Sequence, residues 1–310
     1  HYQRCRGIRM RRVGVFPDAQ TIIDRLEAAL SPRTRLVAFS QVTCETGTRL
    51  PVREICAWAR ERGILSLVDG AQSLGAFETD VNRLGCDYFT SNGHKWLSGP
   101  KGTGIFYAHP ERLFDLCPAH VGLTAYTPVA CGDARGLLFR RVLRPVETSP
   151  GAGAVRLAAA PGPGAGSLER ANAEDGTADL WSTGRRFEFG TRAHALYAGL
   201  GASLDWFEAL GWSNVQTRIA HLSDSLKARI LERPYLELLT PLPFERSSGL
   251  TAFSVKDQQA GEVSKLLRDR ARIHVRVVPH YNAIRISTHC FVNEADLDKL
   301  MAVLDEIAKA

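Results

Sequence analysis

The stretch VDGAQSLGAFETDVNRLGCDYFTSNGHKW, residues 68–96, sets an aspartate after one short apolar run and a His-Lys pair after the next. The two runs read as strands, ILSLVDGA and the apolar part of DYFTSNGHKW, with DVNRLG between them as a short helix. Asp69 and Lys95 then both fall just past strand ends. In open sheets of this kind, ligands sit outside the carboxyl ends of the parallel strands.

The same rhythm continues on either side. DAQTIIDRLEAALS predicts a helix with Asp18 at its N-cap and Ile22, Ile23, Leu26 and Leu30 on one face. RLVAFSQV is the next strand, and VREICAWARERG a helix opened by Pro51 and closed by Gly63. GTGIFYAH is a further strand. Alternation of short apolar runs with amphipathic helices is the pattern of βαβ units, so the expected fold is α/β: a mainly parallel sheet with helices on both faces. Further along, GTRAHALYAGLGASLDWFEALG and WSNVQTRIAHLSDSLKARILE read as helices. LELLT, LTAFSV and RIHVRVV read as strands, and AGEVSKLLRDR and NEADLDKLMAVLDEIAKA as helices. These predict a large domain over residues 1–212 and a smaller α+β C-terminal domain over residues 213–310. Between them, residues 145–180 are rich in Gly, Ala and Pro without apolar periodicity, which predicts a long mobile loop.

Composition narrows the function classes. In 310 residues the chain is 45% hydrophobic and carries 39 basic against 33 acidic residues, a net charge of +6. That is a modest excess on a mixed surface and argues against nucleic acid as a partner. The basic run RCRGIRMRR, residues 4–12, reads as a half-exposed strand. No run nears the roughly 20 apolar residues that span a bilayer. Seven cysteines, an odd number with no CxxC pair, argue against a disulfide framework and against a zinc site, and favour a reducing, cytoplasmic setting. The opening HYQRCRG has no starting Met and no apolar segment, so it reads as the interior of a longer chain.

Asp69 and Lys95 alone are compatible with a plain buried ion pair. Their neighbours add more: Gln72 three residues after the aspartate, Ser91 and His94 before the lysine, and Gly102 and Gly104 after it. LVDGAQSLG, TSNGHKWLSGPKGTG, FEFGTR and IRISTHCFVNEADLDKL together resemble the class V aminotransferase family. These are fold type I pyridoxal-phosphate enzymes that include cysteine desulfurases and isopenicillin N epimerase.

The resemblance implies pyridoxal 5'-phosphate as cofactor, Lys95 as the Schiff-base (internal aldimine) lysine and Asp69 as the partner of the pyridine nitrogen. It implies Gln72 as the partner of the ring hydroxyl, and Ser91 and His94 as phosphate ligands. Thr191, in FEFGTR, would reach the cofactor of a neighbouring subunit, which implies a homodimer with a shared active site. Arg285, in AIRIS, would grip the substrate carboxylate, with Arg276 as second candidate. These roles suit the residues. An anionic Asp69 keeps the ring nitrogen protonated and electron-withdrawing, and a freed lysine amine moves a proton at the α-carbon. An arginine fork holds a carboxylate directionally.

Departures sharpen the expectation. The stretch VRVVPHYNAIR lacks the nucleophilic cysteine of one desulfurase branch, and Cys290 reads as a packed thiol. Cys44, in SQVTCETG, reads as a small neutral neighbour of the cofactor, with a catalytic thiol as the alternative. His280 and His289 read as structural or solvent-facing. The family's Gly-Thr-rich phosphate loop and its ring-stacking aromatic lie upstream of anything present, so the N-terminal part of the family fold is expected to be absent. The expected activity is chemistry at the α-carbon of an amino acid, on the epimerase-like branch. The alternatives are a cysteine desulfurase or C–S lyase, and a non-catalytic or truncated member that uses the fold as a binding scaffold.

Overall fold

Apolar residues at helical spacing behind Asp18 produce the first element. The computed structural model, which describes residues 7–116, 187 and 192–309, has helix α1 at Ala19–Ala28. The Asp18 carboxylate accepts from the Thr21 backbone N–H at 2.7 Å, satisfying one of the donors that a helix start leaves unpaired. Strand β1 (Leu36–Ser40), helix α2 (Val52–Glu61), strand β2 (Leu65–Asp69), the one-turn helix α3 (Val81–Leu84), and strands β3 (Tyr88–Asn92) and β4 (Gly104–Ala108) follow.

β1, β2 and β3 run parallel, with Ser40 beside Asp69 and Asp69 beside Thr90. Their carboxyl ends therefore reach one rim of the sheet. β4 returns antiparallel to β3, pairing Ser91 with Ile105; its connection is a turn with no crossover helix, and only an antiparallel return allows that. The fold is the mostly parallel α/β sheet that the alternation predicts.

One expectation fails. RCRGIRMRR alternates as a strand would, yet residues 7–12 of that run belong to no strand. The Arg11 guanidinium instead donates to the carbonyls of Ala29 and Leu30, at 2.9 and 3.3 Å. A cation on the carbonyl end of a helix complements its dipole, so the run serves the end of α1 and has no ladder partner.

The second half begins with helices α4 (His194–Leu210) and α5 (Trp212–Leu231). Strands β5 (Leu236–Leu238) and β6 (Leu250–Val255), helix α6 (Ala260–Ala271), strands β7 (Arg276–Val278) and β8 (Ala283–Ser287), and helix α7 (Glu294–Ile307) complete it. The strands form an antiparallel sheet in the order β5-β6-β8-β7. The strand predicted over RIHVRVV narrows to its last three residues. Leu222, Leu226 and Ile230 of α5, Leu297, Leu300 and Leu304 of α7, Phe253 and Ile284 form the core beneath this sheet. Each side chain of this kind contributes about 1.5–3 kcal/mol by burial.

A separate cluster joins the two halves: Val42, Phe77 and Trp96 from the segments that follow β1, β2 and β3, Phe207 of α4, Val215 and Ile219 of α5, and Leu250 of β6. Trp96 directly follows Lys95, so this seam closes onto the lysine's own turn. Among the described residues no helix is long and apolar enough to cross a membrane. The loop expected at 145–180 lies outside the described residues.

Candidate active site

The rim of the first sheet carries the predicted site. β2 ends at Asp69, and the Gly70 N–H donates to the Thr90 carbonyl at 2.7 Å, extending the ladder by one residue. A Cβ on Gly70 would lie 2.0 Å from the Phe89 ring, so the position takes no side chain. Asp69 is exposed, contrary to the buried carboxylate expected. Its Oδ1 accepts from the Ala71 N–H at 2.9 Å, a local turn bond that orients the carboxylate while leaving its other oxygen open.

Gln72 is buried and its Oε1 accepts from the Trp96 indole N–H at 3.1 Å. That bond fixes the amide: its oxygen is engaged, so the NH₂ is the group left to donate. Ser91 is buried on β3 and donates its hydroxyl to the Gly70 carbonyl at 3.0 Å. To serve an anion, that hydroxyl turns about a single bond away from Gly70. His94 is exposed beside it.

Lys95 is half-buried and opens a tight turn, its carbonyl accepting from the Ser98 N–H at 2.9 Å. Among the described residues no ion pair joins Lys95 to Asp69, so the plain ion-pair reading of the two residues is not what the fold builds. Two side chains without a local sequence signal hold this turn. Trp96 bonds to Gln72 from one side. From the other, His289 places Nε2 3.2 Å from the Trp96 carbonyl, and Nδ1 accepts from the Cys290 N–H at 2.8 Å. A carbonyl only accepts, so the Nε2–H tautomer is the one that fits. The imidazole is stacked between Trp96 and Phe291, with centroids at 5.2 and 4.4 Å. Burial, opposed by the bond to the Trp96 carbonyl, lowers its pKa and keeps it neutral.

β8 brings the second half to the same rim. Arg285 donates from Nη1 to the Cys44 carbonyl, just beyond β1. Burial, reinforced by the charge of Arg276 and opposed by Cys44, pulls its pKa below the ordinary arginine value. Arg276 is exposed and stands directly opposite Arg285 in the ladder. Cys44 is exposed at the rim, while Cys290 is half-buried and burial raises its thiol pKa. His280 is exposed. Thr191 lies outside the described residues. Thus the structure gathers Asp69, Gln72, Ser91 and Lys95 around one strand-end turn and brings Arg285 to Cys44; His94 is exposed beside that turn, and Arg276 is exposed beside Arg285 in the ladder.

A mostly parallel sheet with a carboxylate, an amide, a hydroxyl and a lysine along one rim, closed by a smaller antiparallel sheet carrying arginines, defines a fold type I pyridoxal-phosphate enzyme. The Aminotransferase class-V family model matches residues 1–160 and 154–300. The chain belongs to this family of pyridoxal-phosphate-dependent enzymes. It is 32% identical to isopenicillin N epimerase of Streptomyces clavuligerus over 98% of its length and 69% of that protein. With a cysteine desulfurase of Pectobacterium carotovorum the identity is 28%, over 98% of this chain and 65% of the relative. A solved C-DES mutant, with glycine covalently linked to its PLP cofactor, superposes with a TM-score of 0.68 at 27% identity, covering 91% of this chain and 63% of that one. The chain spans about two thirds of the length of the relatives it matches.

The donor set fits that cofactor. Asp69 offers an acceptor to a protonated ring nitrogen, Gln72 a fixed N–H donor, and Ser91 and His94 a hydroxyl and an imidazole. Lys95 offers an amine without a salt-bridge partner among the described residues.

Proposed function

We propose that the protein acts at the α-carbon of an amino acid with pyridoxal 5'-phosphate held at this rim, on the isopenicillin N epimerase-like branch. The observation that carries the reading is the convergence of Asp69, Gln72 and the Lys95 turn on one rim, with Arg285 reaching it from the other sheet. When bound, the cofactor supplies an electron sink for the α-carbon. The chain's own residues do the rest. Lys95 would hold the cofactor through its Nζ, and that amine would be the group that adds or removes a proton at the α-carbon. Asp69 would hold the ring nitrogen, Gln72 would donate to the ring oxygen, and Ser91 and His94 would hold the phosphate. Arg285 grips the substrate carboxylate through its fork. The reading includes residues 1–212 as the cofactor domain, residues 213–310 as the smaller domain, and a cytoplasmic homodimer in which Thr191 reaches the partner's cofactor.

Burial raises the Cys290 thiol pKa, and residues 275–284 contain no cysteine, which favours proton chemistry over sulfur transfer. The second reading, a cysteine desulfurase or C–S lyase, has one observation in its favour: Cys44 is exposed beside Arg285. The full-length protein is expected to show a visible cofactor band that borohydride fixes onto Lys95, and Lys95→Ala is expected to lose it. Deuterium exchange at the α-carbon without sulfide release supports the first reading. Sulfide or persulfide formed from cysteine and abolished in Cys44→Ser supports the second, and a colourless protein that takes up no cofactor removes both.

A further inference from the structure

We propose that the groove beside Arg285 is a second anion subsite, so that the substrate is an amino acid whose side chain ends in a carboxylate. The inference rests on the reading of Arg285 as the partner of the α-carboxylate, and deepens it.

The passage from α6 into β7 builds the groove. Arg272 ends α6 in the left-handed region, and Arg272, His274 and Arg276 are exposed while Ile273, Val275 and Val277 pack partly on the core. Arg276 is the ladder partner of Arg285. A groove of about 450 Å³ opens there; its polar lining includes Arg272, His274, Arg276, Arg285, Ser287 and Lys299, and apolar side chains such as Ile273, Ile286, Leu297 and Leu300 line the rest. Its size lies within the roughly 300–1,000 Å³ of small-molecule sites.

The charges in it are unbalanced. Like charges directly opposite across a ladder repel, and among the described residues no carboxylate pairs with Arg272, Arg276, Arg285 or Lys299. Asp296 also borders the groove, but its carboxylate accepts from the Asn293 N–H at 3.0 Å as half of a helix capping box. Arg285 uses Nη1 on Cys44, while its Nε is buried without a partner. A buried donor left unpaired is unfavourable, and an incoming carboxylate would pair it. One α-carboxylate answers one guanidinium fork. The facing Arg276, flanked by Arg272 and Lys299, remains for a second anion, and a neutral side chain would leave these cations uncompensated.

The test is calorimetric titration of the cofactor-loaded full-length protein. The ligands are L-aspartate, L-glutamate and L-2-aminoadipate, with L-asparagine, L-glutamine and L-norleucine as neutral counterparts. Glutarate, which has no amine, reports the groove by itself. At least one acid is expected to bind about ten-fold or more tightly than its counterpart. The exposed double substitution Arg272→Met with Lys299→Met is expected to remove most of that preference. Neutral ligands and the melting temperature should stay where they were. Equal affinity within every pair, or a preference that survives the double substitution, overturns the subsite. Glutarate binding that the substitutions weaken, with no amino acid bound, supports the anion subsite and sinks the amino-acid reading above. No binding of any ligand overturns both.

Discussion

Asp87 shows how much one carboxylate can hold. It accepts from the Ser66 N–H at 2.8 Å and the Ser66 hydroxyl at 2.9 Å on β2, and from Arg112 Nε at 2.9 Å in the turn after β4. Burial alone would raise its pKa; the bonds from Ser66 and Arg112 outweigh it and hold the carboxyl below its ordinary value. A group whose folded pKa is depressed stabilises the protein above its unfolded pKa, about 3.9, and that contribution is lost as pH falls toward the folded value. Asp87→Asn is therefore expected to cost about 1–2 kcal/mol at pH 7, with the gap from wild type closing below about pH 4. Denaturant melts across pH measure it, and a gap that persists unchanged at pH 3 would count against the assignment. Asp87 lies in the same stretch as Asp69 and Lys95, yet only the latter two stand out in the sequence. Their position after apolar runs is local information. Asp87 depends on partners 21 and 25 residues away, and His289 on a carbonyl 193 residues away; neither leaves a local signal.

At the scale of the element, helices are the more legible because their signals are local. Asn293 opens α7 with a reciprocal box: its side chain accepts from the Asp296 N–H at 3.0 Å, and the Asp296 carboxylate accepts from the Asn293 N–H at 3.0 Å. Both residues stand within NEADLDKL, whose pattern opens a helix. Asn293→Ala is expected to cost about 1 kcal/mol and Asn293→Ser to recover most of it, as read by chemical denaturation. Equal stability of the two variants would show that the box contributes nothing. Strands tell less. The direction of β4 is not encoded in GTGIFYAH, because strand propensity says nothing of which neighbour a strand pairs with. RCRGIRMRR alternates as a strand does, and the end of α1 takes its arginine instead.

For the whole molecule, two sheets and their order along the chain follow from the sequence pattern, but the way they close on each other does not. The seam packs Trp96 against side chains drawn from α4, α5 and β6, and no period in the sequence links them. Its tightest point is Gly249, where an added Cβ would lie 2.4 Å from the Trp96 ring and 2.8 Å from Ile219. Gly249 does not have a positive φ, so alanine there is a question of space alone. Trp96 is held at its indole by Gln72 and at its carbonyl by His289, which leaves it little room to yield. Gly249→Ala is expected to destabilise the fold by about 1–3 kcal/mol through overpacking, and to displace the turn that presents Lys95. Gly261, at the start of α6, is the control, because a methyl group added there would meet nothing within 4 Å. Gly261→Ala should be neutral or stabilising by up to about 1 kcal/mol. Near-ultraviolet circular dichroism of the tryptophans, melting temperature and pyridoxal-phosphate uptake distinguish the outcomes. If Gly249→Ala lowers stability while the tryptophan signal and cofactor uptake match wild type, the seam packs the two sheets together without positioning the lysine. If all three shift together, closure of the second sheet on the first is what sets the geometry of the site.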